Sequence, residues 1–236
     1  MTLKKILTLI ILCGAAVVAQ AQAKGYEFTY QEKVDIGQQL NQLDESMRAA
    51  MQSFLSKRKS FYTLTFADGK SYFEKNKKIS DDDMGMGQSM PTLYVDFGKQ
   101  EQTSLVQFFG RNFLVDDTLS RMNWVMDTAT KTVAGLHCLK ATYADSNSTV
   151  TVWFSTETPI PAGPYTFYGL PGLVTEVEMG PVTYTLTQIK VLDAKPTIEK
   201  PKKGKKVTQE ELQNIIKTKL EEMGFGGGEG TQIMRF

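Results

Sequence analysis

The sequence predicts an α+β protein built on a curled, half-barrel-like antiparallel β-sheet, with an N-terminal amphipathic helix and a short C-terminal helix. Three observations carry this. From Phe61 onward, more than a hundred residues read as short strands with turn residues between several of them. Ahead of them, apolar residues from Ile36 to Phe54 recur at intervals of three and four. After them, a capped stretch with one apolar face begins at Thr208 and stops at Gly224. Many short strands at fairly regular spacing make an antiparallel sheet that curls or closes.

The elements follow in chain order. Residues 1–23 read as a cleavable secretory signal: Lys4 and Lys5, then the uncharged apolar run Ile6 to Val18, then small residues at Ala19, Ala21 and Ala23. The apolar run is shorter than the roughly 20 residues a membrane span needs, and no later segment is apolar enough to span. Cys13 lies inside the apolar run behind Leu12, which argues against a lipid anchor. The expectation is export to an envelope compartment or out of the cell. The 27 basic and 26 acidic side chains nearly balance, and loss of Lys4 and Lys5 tips the mature chain to one net negative charge. Such a surface excludes nucleic acid as an expected partner, because phosphate contacts need a basic face. Cys138 is the single cysteine after the signal, so no internal disulfide is expected and the thiol is read as buried.

Tyr26, Phe28 and Tyr30 alternate with Glu27, Thr29 and Gln31, a half-buried strand that opens a β-rich domain over residues 24–194. Ile36, Leu40, Leu43, Met47, Met51 and Phe54 then form one stripe of a helix, read as its core-facing side. Strand patterns follow at Phe61 to Phe66, Ser71 to Phe73, Thr92 to Phe97, Ser104 to Phe109, Asn112 to Val115, Asn123 to Met126, Thr132 to Tyr143, Thr149 to Phe154 and Val182 to Leu192. Asp68-Gly69 between the first two is a hairpin signal. Residues 195–206 hold six lysines, two prolines and a glycine and read as a solvated linker. In the segment 207–236, Thr208 and Glu211 form a capping box. Leu212, Ile215, Ile216, Leu220 and Met223 give that helix an apolar face, and a glycine-rich tail follows.

One stretch departs from ordinary turn chemistry. Pro159-Ile160-Pro161-Ala162-Gly163-Pro164 is followed by Tyr168 and by Gly169-Leu170-Pro171-Gly172-Leu173-Val174. The prolines exclude a central strand. Gly163, Gly169 and Gly172 permit positive φ or close backbone approach, Pro171-Gly172 suits the middle of a type II turn, and Leu170, Leu173 and Val174 would anchor the loop in the core. The stretch resembles the GLPGLI family, exported proteins of Gram-negative envelopes, with Val174 in place of the last isoleucine. Trp124-Val125-Met126 and Gly135-Leu136-His137-Cys138-Leu139-Lys140-Ala141 resemble the family's preceding segments. The resemblance implies a Gram-negative periplasm or outer-membrane periphery as the address, and an accessory or binding role beside an outer-membrane transport system; the family is largely of unknown function. The loop Gly169 to Val174 reads first as a structural corner of the sheet; as the candidate binding segment it would be a rim that contacts a ligand or partner.

Chemistry is sparse. The one histidine, His137, neighbours Cys138, but adjacent strand side chains face opposite ways, so the two make no catalytic pair. One His and one Cys give no zinc set. No carboxylate pair stands out, so the expectation is a non-enzyme; a carboxylate-based hydrolase is the remote alternative. Met84, Met86 and Met90, beside Asp81-Asp82-Asp83, offer soft thioethers that would suit Cu(I), or pack adaptively. Expected partners are an outer-membrane transporter or other envelope protein. A small apolar ligand held on a concave sheet is a further expectation, as in a lipid or lipoprotein carrier; Phe108, Phe109, Phe113 and Trp153 are compatible with that.

Overall fold

The computed structural model describes residues 25–37, 44–81, 90–119, 122–144 and 149–222. The signal, Met84, Met86 and the glycine tail lie outside these residues. The strands are β1 (Gly25–Val34), β2 (Ser60–Ala67), β3 (Lys70–Lys75), β4 (Thr92–Asp96), β5 (Glu101–Phe108), β6 (Arg111–Thr118), β7 (Val125–Val133), β8 (Leu136–Ala144), β9 (Thr149–Ser155), β10 (Leu173–Met179), β11 (Val182–Leu192) and β12 (Lys205–Lys206). The helices are α1 (Glu45–Lys57) and α2 (Gln209–Glu222). All twelve strands join one open sheet in the order β12-β6-β5-β4-β3-β2-β1-β11-β10-β9-β8-β7. Every pairing is antiparallel except β12 with β6, which is parallel, so the sheet is mixed rather than wholly antiparallel.

Hairpin turns set the registers. Asp68 and Gly69 both take positive φ between β2 and β3, as their sequence predicts. Ala134 and Gly135 do the same between β7 and β8 (φ 48° and 83°). This corrects the single strand expected over Thr132 to Tyr143. The turn divides it, and its alanine gave no local signal for a positive φ.

Curvature follows from what the strands share. Leu93 on β4 and Ala141 on β8 belong to one buried cluster with Phe28, Tyr30, Leu64, Phe73, Val152, Phe154, Val177 and Leu186. Seven strand steps separate β4 from β8, roughly 34 Å in a flat sheet. One core can reach both only if the sheet bends round. The space inside the bend is filled by residues 156–172 between β9 and β10: Ile160, Ala162, Tyr165, Phe167, Tyr168 and Leu170 are all buried in the same cluster. We call this segment the plug.

A second, smaller cluster packs α2 on the β5–β6 wing, with Leu212 and Ile216 against Val106, Phe108, Phe113 and Val115. The capping box forms as read. Thr208 N–H donates to Glu211 Oε2 at 2.8 Å and Glu211 N–H to Thr208 Oγ1 at 3.1 Å. Helix α1 behaves differently. Asp44 caps it, accepting from Met47 N–H and Ser46 Oγ. Yet Met47, Met51 and Phe54 stay 57%, 39% and 40% exposed. For these three the expectation of a core-facing stripe is overturned, while Leu40 and Leu43 lie outside the described residues; periodicity reports a one-sided helix, not what covers that side.

The lysine-rich segment is a strap across the sheet. Near its start, Pro196 lies so close to Gly25 on β1 that a Cβ there would come within 2.2 Å of it. It ends beside β6, five strands away. Lys195 pairs with Asp68 at 2.8 Å, Lys200 with Asp116 at 2.7 Å, and Val207 N–H donates to Leu114 O at 3.0 Å. Ion pairs and one short ladder hold it in place of apolar burial.

Candidate functional site

The predicted binding loop is anchored in the interior, with Gly169 and Pro171 exposed and the other four residues buried. Leu170, Leu173 and Val174 are at most 3% exposed. The plug folds back on itself through Gly169 N–H to Pro161 O (3.3 Å), Leu173 N–H to Thr158 O (2.9 Å) and Val174 N–H to Ala162 O (3.0 Å). Gly172 is not among the glycines with positive φ, so Pro171-Gly172 is not a type II turn. Its glycine is required by space, because a Cβ there would sit 2.1 Å from Ser155 O. Gly169 carries the positive φ instead (87°).

Polar side chains fasten the plug. Tyr30 Oη–H donates to Val174 O at 2.7 Å, Trp124 Nε1–H to Tyr168 O at 3.1 Å, and Tyr168 Oη–H to Gln102 Oε1 at 3.0 Å. Burial pushes the Tyr30 phenol well above its ordinary pKa, so it remains a donor. Tyr168 also meets Phe97 edge-on with ring centres 5.9 Å apart. The concave face is therefore occupied by the chain's own aromatic residues.

At one end of the core stripe sits a buried carboxylate that sequence reading passed over. Glu32 shares the face of Phe28 and Tyr30 by the period of two. Its Oε1 accepts from Arg58 Nη2 at 2.9 Å and its Oε2 from Tyr184 Oη at 3.1 Å. Tyr62 faces the same group and meets Tyr184 edge-on at 5.5 Å. Burial, reinforced by the Glu32 charge, drives both phenols up and keeps them protonated. Arg58 directly follows α1, so this cluster fixes the C-terminal end of that helix to the sheet. The carboxylate is saturated by its partners, which suits anchoring rather than proton transfer. Continuing the Tyr26–Phe28–Tyr30 alternation by one more step would have found Glu32.

The remaining sequence candidates scatter. Met90 packs half-buried against the core and its N–H points to Tyr62 Oη at 3.4 Å. Met84 and Met86 lie outside the described residues, so the copper set is not assembled in view. Among the described residues, no three His, Cys, Asp or Glu side chains gather in a way that would hold a metal ion. Cys138 is buried as expected, with Sγ 3.1 Å from Thr175 Oγ1, and burial raises its thiol pKa. His137 is exposed beside it, on the other face. Phe108 and Phe113 belong to the α2 cluster, and Phe109 is 55% exposed. On the outer face Lys131 stacks its Nζ over the Trp153 ring at 4.2 Å and bridges Glu176 and Glu178. No helix among the described residues is long and apolar enough to cross a membrane.

A family model described as a protein of unknown function, Porph_ging, matches residues 144–176. That span holds β9, the plug and the start of β10. Two crystal forms of one solved protein share the fold. "Structure of PNGF-II in C2 space group" has a TM-score of 0.55 at 14% identity, and the P21 form 0.56 at 15%. Each comparison covers 82% of this chain and 33% of that protein. The chain thus spans about a third of the length of PNGF-II, and at this identity the likeness is one of fold. No curated protein matches the sequence.

Proposed function

We propose that this chain is an exported envelope protein of the GLPGLI type that works by binding, as an accessory to an outer-membrane transport system. The observation that carries the reading is α1. The helix is capped by Asp44, tied down through Arg58 and Glu32, and still presents Met47, Met51 and Phe54 outward. A helix anchored to the sheet at one end, with these three apolar side chains free of the described core, is suited to lie in a groove of a partner. The signal at 1–23 supports export, and the segment resemblance supports the envelope setting.

The filled concave face weighs against the lipid-carrier reading, since Tyr165, Phe167, Tyr168 and Leu170 hold the space an apolar ligand would take. The saturated Glu32 weighs against a carboxylate hydrolase. The test is affinity purification from the native envelope with the wild-type chain and a Met47→Ser/Met51→Ser/Phe54→Ser variant. A β-barrel transporter retained by the wild type and lost by the variant, at unchanged thermal stability, is the expected result. Equal recovery by both, or no transporter with either, contradicts the proposal.

A further inference from the structure

We propose that the cleft between β6, the strap and α2 is a binding site for an organic phosphate, a tetrahedral oxyanion carried on an apolar or ring-shaped body. The observations begin with the strap's charges. Of its six lysines, four are paired with carboxylates: Lys195 with Asp68, Lys200 and Lys206 with Asp116, and Lys202 with Glu199. The two left without a carboxylate among the described residues are Lys203 and Lys205. Both line the same cleft, and the third cation there, Arg111, likewise has no acidic partner among the described residues.

Register explains the sorting. Lys205 pairs beside Phe113 and Lys206 beside Leu114. Neighbouring residues of an extended chain face opposite ways. Lys206 therefore falls on the Asp116 side and Lys205 with Arg111 and Phe113; the chain bends at Gly204, and Lys203 beyond the bend lines the same cleft. Gly204 lets the strap approach β6 this closely, since a Cβ there would come within 3.0 Å of the Leu114 side chain. Three like charges on one face repel each other unless a counter-charge sits between them, and this lining contains no carboxylate.

The shape and the remaining walls narrow the ligand. The cleft has a volume of about 540 Å³, which falls within the range of small-molecule sites and leaves room for a body beyond the anion. Phe113 and Ile215 supply an apolar floor beside the cations. A guanidinium fork matches two oxygens of a phosphoryl group, and the two ammonium groups act as point charges on the others.

The test is calorimetric titration of the purified full chain, at low ionic strength, with phenyl phosphate and with inorganic phosphate. Sedimentation with phosphatidylcholine vesicles containing phosphatidic acid forms a second arm. The site variant is Arg111→Gln/Lys203→Gln/Lys205→Gln, with the single Lys203→Gln as a milder partner. The control, Lys195→Gln/Lys202→Gln/Lys217→Gln, removes as many charges outside the cleft. Circular dichroism verifies that each is folded.

Phenyl phosphate is expected to bind more tightly than inorganic phosphate. The site variant is expected to weaken it by about tenfold or more, as loss of a charge-assisted hydrogen bond requires. The control should leave it unchanged. Vesicle capture by the wild type and the control, lost in the site variant, without binding of the soluble phosphates, assigns the same chemistry to a lipid headgroup. Absence of binding in both arms overturns the site. So does equal weakening by the site and control variants, or no weakening by the site variant.

Discussion

The plug and the strap are both irregular segments punctuated by proline and glycine, and they end up on opposite sides of the same physics. The plug carries Ile160, Tyr165, Phe167, Tyr168 and Leu170 between its prolines and lies inside the sheet. The strap carries lysines between its prolines and lies across the outside, held by Asp68 and Asp116. Proline and glycine determine only that neither segment becomes a central strand. The side chains between them decide whether the segment is buried as core or fastened by charge. Burial of large apolar groups contributes about 1.5–3 kcal/mol each, whereas exposed ion pairs contribute about 0–1 kcal/mol. The plug should therefore be integral to stability and the strap nearly dispensable to it.

Gly172→Val strikes the plug hardest. Its Cβ would meet Ser155 O at 2.1 Å, a backbone atom that cannot step aside. Destabilisation of about 3 kcal/mol is expected by urea denaturation, and a loss under about 1 kcal/mol would mean that the plug moves freely. Tyr30→Phe removes the phenol that donates to the buried Val174 carbonyl, with an expected loss of about 1–2 kcal/mol. Trp124→Phe removes the half-buried bond to Tyr168 O. About 1 kcal/mol is expected, visible as a lowered thermal midpoint.

On the strap, Asp116→Asn is expected to change global stability by no more than about 0.5 kcal/mol while accelerating tryptic cleavage within 195–206. Lys200's hydrogen bond, helped by Thr103 and Lys206 and opposed by burial, holds the Asp116 carboxyl below the ordinary carboxylate range. A lowered folded pKa stabilises above the unfolded value, about 3.9, and that contribution fades as pH falls through the folded value. Strap detachment followed at the Val207 amide should accordingly begin only below about pH 4. Detachment between pH 5 and 7 would point to a different titrating group.

Much of the sheet was legible in the sequence because alternation is local. Tyr26–Phe28–Tyr30, the Asp68-Gly69 turn and the Thr208–Glu211 box each specify their geometry within a few residues. The burial of Cys138 and the exposure of His137 follow from the same alternation. What could not be read is what depends on distant partners. Ala134 takes a positive φ without being glycine, so the β7–β8 turn was hidden. The strap's lysines are solvated as read, but their pairing could not be foreseen because Asp68 and Asp116 are far away in sequence. The stripe on α1 signals an apolar face but not its occupant. Gly172 was read as a position needing either a positive φ or close backbone approach; close approach is what the structure has, and its partner, Ser155, is a tertiary fact.

Native-state hydrogen exchange of the Leu173 and Val174 amides tests whether the plug is core rather than a removable lid. Both amides should exchange only through global unfolding, with the same opening free energy as the buried strand β9. Exchange several kcal/mol more readily, at the level of the strap, would show that the plug opens on its own and would return the concave face to the list of binding surfaces.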